Sequence, residues 1–266
     1  MEEAPTVSLT APSAESPKAR IVRRTGFQAP YSRDQYVSCA GHIFSAVALY
    51  GSLAALASQA DARTLANSLA TQETAIIVAL GVHVLVTGLL LYAWYSCEAC
   101  DPGDQETTDT PWLGFVLSGP RWEKSKYCAV CRKTIPGMDH HCTWLNTCVG
   151  KRNYAQFFTI ALCGVVQFLV QCSITLLLLA AWNDWRVAYG LASPVALAVQ
   201  IGLAVCAIVS VPCLIMYTTL LVFHVYLAWL GYGTYDYYLK QRDAQRAKRR
   251  SQQSATIELT HKPTPV

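Results

Sequence analysis

Between Cys128 and Cys148 the chain reads Cys128-Ala-Val-Cys131, seven further residues, then Asp139-His140-His141-Cys142-Thr143-Trp144-Leu145-Asn146-Thr147-Cys148. Thiolate sulfur and imidazole nitrogen are the donors a tetrahedral zinc ion takes, and two close thiols followed by a more distant pair is how small zinc knuckles are built. Four donors close such a site. One thiol, one imidazole and one carboxylate then remain, the parts of a nucleophile, a base and a group that orients the base. The residues alone leave the division open: Cys128, Cys131 and His141 can be completed by Cys148, or by Cys142, which directly follows His141.

A membrane has to position this cluster. The 266 residues are 53% hydrophobic and 14% charged, with Leu, Ala and Val massed in blocks. Four blocks, 37–57, 74–96, 157–182 and 196–222, are long enough to cross ~30 Å of hydrocarbon as helices. Of 21 Lys and Arg residues, 19 fall in the N-terminal, central and C-terminal segments, and Arg63 and Arg186 fall one in each remaining connection. That bias puts both termini and the cluster in the cytosol. Trp182 and Trp185 are expected in an aromatic belt on the opposite face.

The reading is thus an all-α membrane protein: four transmembrane helices with a small cytosolic zinc-binding cysteine-rich domain between the second and third. Its parts are a largely disordered cytosolic segment 1–36, helices 1 and 2 in 37–96, the cytosolic loop 97–154, helices 3 and 4 in 155–230, and a cytosolic tail 231–266. No cleavable signal is expected, so the first span serves as an anchor. Six basic residues between Lys240 and Arg250 are read either as a helix on anionic lipid or as a solvated flank. Spans nearly free of ionisable residues argue against a channel or transporter.

Cytosolic thiols stay reduced, so metal binding and catalysis precede disulfides as explanations for the cysteines. Cys39, Cys163, Cys172, Cys206 and Cys213, inside spans, are read as small apolar residues. Cys97 and Cys100 are read as packing or lipid-modified. Gly81, Gly88, Gly164, Gly202 and Ser210 are expected to allow close helix packing, and Pro212 to kink its helix. Asn153 is expected to cap the third span with its side chain. His42, His83 and His224 are expected to be satisfied in packing.

The run Asp139-His140-His141-Cys142-x-Trp144-x-Asn146-x-Cys148-Val149-Gly150-x-x-Asn153-x-x-x-Phe157 resembles the signature of the DHHC-type protein S-acyltransferases, the palmitoyltransferases. Asp101-Pro102-Gly103 after the second span and Thr234-Tyr235-Asp236 after the fourth resemble two further motifs of that family. The second of these is similar to TTxE, with Gly233 and Asp236 replacing its first Thr and its Glu. The resemblance implies that Cys142 is the nucleophile, His140 its base and Asp139 the orienting carboxylate. It implies that Cys128, Cys131, His141 and Cys148 hold zinc, that Thr234 supports Asp139, and that Trp144 lies near the thioester.

The implied reaction moves a long-chain acyl group, palmitoyl in the family's name, from acyl-CoA through a Cys142 acyl-enzyme to cysteines of cytosolic or membrane proteins close to the bilayer. A catalytically silent scaffold of the same fold is the alternative. Arg132, Lys133, Lys151 and Arg152 are candidates for the phosphates of CoA or of lipid headgroups, as are Lys124 and Lys126. No nucleic-acid partner is expected; Thr264-Pro265-Val266 fits a loose PDZ-ligand pattern. One departure stands out. The family usually builds two zinc sites from an upstream Cys-x-x-C and a His-Cys-x-x-Cys-x-x-Cys run, but here Tyr127 stands in the place of that His, Thr134 in that of the last Cys, and the upstream pair is missing. One zinc per chain is therefore expected. Thr143 also replaces a common Pro.

Overall fold

The computed structural model describes residues 22–58, 70–104, 122 and 124–260. The expectations for segment 1–20, for Arg63 and for Thr264-Pro265-Val266 lie outside them. In hydrocarbon every backbone polar group must be satisfied within its own segment, so the four apolar blocks can cross only as helices. They form α1 (Arg33–Ala57), α2 (Ala70–Ala99), α3 (Tyr154–Ala180) and α5 (Ser193–Leu230), with a short α4 (Trp182–Ala188) between the last two. All four long helices are apolar and long enough to cross a membrane. Each begins three or four residues before the expected span. Ser32 starts α1 by accepting the Gln35 N–H at 3.0 Å.

The central helix is α3, which packs against both α2 and α5, while α5 also takes α1. Its buried residues, among them Phe157, Ala161, Phe168, Gln171 and Thr175, lie along one broad face, and the opposite face, with Leu162, Leu169 and Leu176, is exposed. A Cβ on Gly164 would strike the Tyr217 ring and one on Gly202 the Ser52 hydroxyl, so these two glycines do permit close approach. Gly81 and Gly88 do not: among the described residues nothing lies near enough to touch a side chain there. Ser210 is buried, donating to Gln171 Oε1 at 3.3 Å.

Other expectations shift as well. Trp185 is 2% exposed and packs with Ile174, Leu178 and Leu203, so it belongs to the far-side core and not to a belt facing lipid. Cys97 is fully buried beside Cys142, Val149 and Tyr154, which excludes lipid attachment in this state and leaves packing.

Between α2 and α3 lies the cysteine-rich loop, of which residues 124–153 are described as a continuous run. It forms two antiparallel hairpins of three-residue strands, β1 (Lys126–Cys128) with β2 (Lys133–Ile135), and β3 (His140–Cys142) with β4 (Thr147–Val149). Cys128, Cys131, Cys148, Ile135 and Met138 make a miniature core of their own. Asn146, in the β3–β4 turn, adopts φ 52°, a left-handed conformation that asparagine tolerates better than most residues.

At the other end of the chain, α5 closes on Gly231 at φ 72°, with the Tyr232 N–H returning to Leu227 O at 3.1 Å. Glycine adopts that conformation without cost, which is why helices so often stop on it. The turn reverses the chain against the hairpins and starts α6 (Thr234–Thr260), which carries the basic run and is exposed over most of its length.

Candidate active site and metal centre

Strand geometry divides the cluster. Successive side chains of a strand point to opposite faces, so His140 and Cys142 share one face of β3 while His141 takes the other. In the β3–β4 register His141 lies opposite Cys148 and Cys142 opposite Thr147. Cross-strand partners share a face, so Cys148 joins His141. The alternative left open by the residues, Cys142 beside His141 as a ligand, would require both neighbours to point the same way.

On the His141 face, Nδ1 of His141 lies 3.4 Å from Cys131 Sγ, 3.5 Å from Cys148 Sγ and 3.8 Å from Cys128 Sγ, and Cys148 and Cys131 Sγ are 3.4 Å apart. A zinc ion bonded tetrahedrally to one nitrogen and three sulfurs sets such atoms roughly 3.5–3.8 Å apart. The four donors therefore fit zinc in both type and spacing. Three thiols so close cannot all ionise without a cation: hydrogen bonding to Cys128 pushes Cys131 up to about 11. A bound divalent ion reverses that preference.

On the opposite face, His140 Nδ1 lies 2.8 Å from Asp139 Oδ2, and Cys142, on the same face of β3, lines the same cavity as His140. Burial alone would lower the His140 pKa, but Asp139 and Cys142 outweigh it and hold the ring at about 10. Asp139 is 2% exposed. Burial pushes its carboxyl up, yet His140, His224 and Thr234 together hold it below the ordinary carboxylate range. Thr234 does so twice, through Oγ1 to Oδ2 at 2.6 Å and through its backbone N–H to Oδ1 at 3.0 Å. A Cβ on Gly233 would come within 3.2 Å of Asp139 Oδ1, so the residue replacing a family threonine leaves the carboxylate room. Asp236 pairs with Lys126 at 3.0 Å, and Lys126 also donates to Met138 O, next to Asp139.

Cys142 opens onto a cavity of about 590 Å³ that runs among the spans and is lined largely by apolar side chains, including Phe157, Ile160, Leu220 and Phe223. Trp144 stands at its rim, partly exposed, and Tyr238 of α6 also borders it. The volume falls within the ~300–1,000 Å³ usual for small-molecule sites.

Three segments brace the hairpins. Asn153 begins α3, but its side chain makes no cap hydrogen bond to the helix. Instead its Oδ1 accepts the Gly150 N–H and its Nδ2 donates to Cys148 O, both at 2.9 Å, because the loop behind it offers unpaired backbone groups nearer than the helix does. The Asp101 motif is held by Lys133, which reaches the Asp101 carboxylate, and by Arg152, which bonds Asp101 O at 3.1 Å and Asp104 at 2.7 Å. Two of the four basic residues expected at CoA phosphates are thus already neutralised within the loop; Arg132 is exposed.

The third brace went unread in the sequence. The Arg23 guanidinium reaches the Asn146 side chain, the Arg23 N–H donates to Cys131 O at 3.1 Å, and Asn146 Nδ2 points at Gly26 O, Gln28 O and Pro30 O, nearest at 2.9 Å. His224 was also missed as part of the site. It is buried on α5, and one of its ring nitrogens lies within 4.8 Å of both the Asp139 carboxylate and a nitrogen of His140. An ionisable residue inside an apolar span was the available signal.

Tyr127 and Thr134, the residues at former ligand positions, lie directly opposite each other across β1 and β2, and Tyr127 is exposed. These two positions, where the resemblance places a His and a Cys, are therefore adjacent in space and carry neither.

Comparison with known proteins agrees with this arrangement. The profile of the DHHC palmitoyltransferases matches residues 118–241. The protein named "Probable protein S-acyltransferase 15" of Arabidopsis thaliana is 27% identical over 183 residues, covering 63% of this chain and 69% of that protein. "Palmitoyltransferase ERF2" of Kluyveromyces lactis is 32% identical over 115 residues, 43% of this chain and 29% of its own length. "Palmitoyltransferase ZDHHC18" of Homo sapiens is 38% identical over 69 residues, 25% of this chain and 18% of that protein. The chain thus spans well under half the length of the last two. From the profile match, these relatives and the placement of its Cys/His cluster between the second and third spans, residues 118–241 of the chain carry the domain of the DHHC palmitoyltransferases, a family of protein S-acyltransferases.

Proposed function

We propose that the protein transfers a long-chain acyl group, palmitoyl or one close to it, from acyl-CoA to cysteine thiols of proteins at the cytosolic membrane face, by way of an acyl-enzyme on Cys142. One observation carries this reading: a thiol on the same strand face as the His140 of an Asp139–His140 pair sits with it on the wall of an apolar cavity between membrane-length helices. The acyl chain lies among the spans while the CoA moiety stays in water.

In the first half-reaction the Cys142 sulfur, its proton held by His140 Nε2, attacks the thioester carbonyl carbon. The C–S bond to CoA then breaks, and the departing CoA sulfur takes the proton from His140. In the second half a substrate cysteine gives its proton to His140, attacks the Cys142 thioester, and Cys142 leaves as thiolate and recovers the proton. Thioester is exchanged for thioester, so the bond energies nearly cancel and positioning supplies most of the catalysis. Against the pull of burial, Asp139 and Cys142 hold the His140 imidazole up at about 10, so the ring readily takes the proton of the attacking thiol, and a deprotonated sulfur is the form in which cysteine is nucleophilic. Cys128, Cys131, His141 and Cys148 would hold zinc, which when bound closes the loop and fixes the direction of β3 without using the reactive thiol.

The experiment incubates purified protein with alkyne-tagged palmitoyl-CoA. Hydroxylamine-labile label is expected on the wild type and absent from Cys142→Ser. A wild type that never takes label supports the silent scaffold instead, which the lost first-site ligands favour.

A further inference from the structure

We infer that His224 and Tyr154 form a second tier beneath the Asp139–His140 pair, making His224 a positioning residue for the transfer proposed above, on which this inference rests. His224 projects from α5, in a span with almost no other ionisable side chain, yet it meets the site and not lipid. It is 2% exposed. Its Nδ1 lies 3.0 Å from Tyr154 Oη, and Tyr154, the first residue of α3, is fully buried. A tyrosine hydroxyl donating to Nδ1 places the imidazole proton on Nε2, at the opposite edge of the ring.

The ring also fixes a plane. His140 and His224 centroids are 5.6 Å apart, and Phe157 packs edge-on against both, at 5.2 Å from His140 and 4.8 Å from His224. His140 therefore has Asp139 at its Nδ1, Cys142 on the same strand face, and two rings that restrict rotation about its own axis. The Asp139 carboxylate, already taking Thr234 and His140, has the second imidazole within 4.8 Å. Removing His224 loosens the angle at which His140 meets Cys142 while leaving all four metal donors and the cavity mouth untouched. That is the signature of a residue acting through another.

The consequence is a kcat effect without a binding effect. Full-length protein in lipid nanodiscs is mixed with fluorescent palmitoyl-CoA, and the rate of acyl-enzyme formation is followed against its concentration, with zinc content measured on the same samples. His224→Phe, which keeps a ring but no nitrogen, is expected to slow the saturating rate about 10- to 100-fold, the scale of a catalytic group held about 1 Å or less out of place, with half-saturation and zinc unchanged. His224→Gln, which restores a donor of similar reach, is expected to recover at least half of the logarithmic loss. Tyr154→Phe is expected to cost about 3- to 10-fold and to add almost nothing on top of His224→Phe, because the two act as one unit.

Equal rates for wild type and His224→Phe overturn the inference alone, since the wild type still acylates. So does a His224→Gln variant no better than His224→Phe, or a loss that appears only as weaker half-saturation. Should His224→Phe lose its zinc, Tyr154→Phe decides, and an unchanged rate in that variant overturns the tier. A wild type without any acyl-enzyme removes the proposed transfer and this inference together.

Discussion

The two hairpins of the cysteine-rich loop are the same length and antiparallel, yet only one of them uses both faces. In β3–β4 the His141 and Cys148 face meets the metal donors of the knuckle, and the His140 and Cys142 face meets Asp139 and the cavity. In β1–β2, Cys128 and the following turn supply two metal donors, while the cross-strand pair Tyr127 and Thr134 supplies none. What braces this hairpin is a set of hydrogen bonds from elsewhere: Arg23 at Cys131, and Lys133 at Arg24 O and Asp101. A domain whose core is only a handful of residues needs a staple. Here one staple is a set of metal donors and the other is a strap of ordinary polar contacts.

The sharpest way to break that comparison is to exchange the faces of β3–β4. Cys142→Ser is expected to lose more than about 1,000-fold in acyl-enzyme formation while keeping its metal, as loss of a covalent nucleophile does. Cys148→Ser is expected to lose metal and structure first. Elemental analysis beside a hydroxylamine-sensitive label reads both, and a Cys142→Ser protein lacking zinc, or a Cys148→Ser protein retaining both zinc and label, would contradict the division.

Next in size is the strap. Asn146→Ala removes three acceptor contacts, the partner of Arg23 and a side chain suited to a left-handed φ, and is expected to destabilise the fold by about 2–4 kcal/mol. Thermal unfolding in nanodiscs measures this. An unchanged midpoint means that the β1–β2 hairpin does not depend on the strap.

A smaller effect follows from pH. The folded His140 pKa is raised, so its contribution to stability is complete below the ~6.5 of an unfolded histidine and fades as pH climbs through about 10. Asp139, held low, loses its share only in strong acid, as pH falls through its depressed value. Wild type is thus expected to lose stability from near neutrality toward pH 10 more steeply than His140→Gln. Parallel melting curves would show that the pair does not couple to folding. The smallest change comes from Tyr127→His combined with Thr134→Cys. Two donors without the upstream pair are expected to leave the metal content at about one zinc per chain, since a structural site needs four. A second equivalent in that variant would mean that some other residue completes the old site.

Much of this was legible in the chain. Four apolar blocks announce four spans because nothing else accommodates so many uncharged residues in a row. The reverse holds for the hairpins, since three-residue strands leave too short an alternation to read. That is why the residues alone could not tell whether Cys142 or Cys148 joins His141, a question the register answers at once. Arg23 and Asn146 are 123 positions apart, and nothing local in either predicts the other. His224 looked like a packing histidine and does pack, but against the carboxylate and imidazole of the candidate site. Asn153 was placed at the right turn and given the wrong partner, because the metal loop's backbone competes with the helix for the same amide.

The alternation along β3 bears on which errors the gene can tolerate. On the proposed assignment, each of the four residues from Asp139 to Cys142 serves one task, acyl transfer or metal retention, and exchanging it would cost that task alone. Deleting or inserting a single codon there would turn His140 toward the metal pocket and His141 toward the cavity, inverting both tasks in one step. Length, more than identity, is what this stretch can least afford to vary.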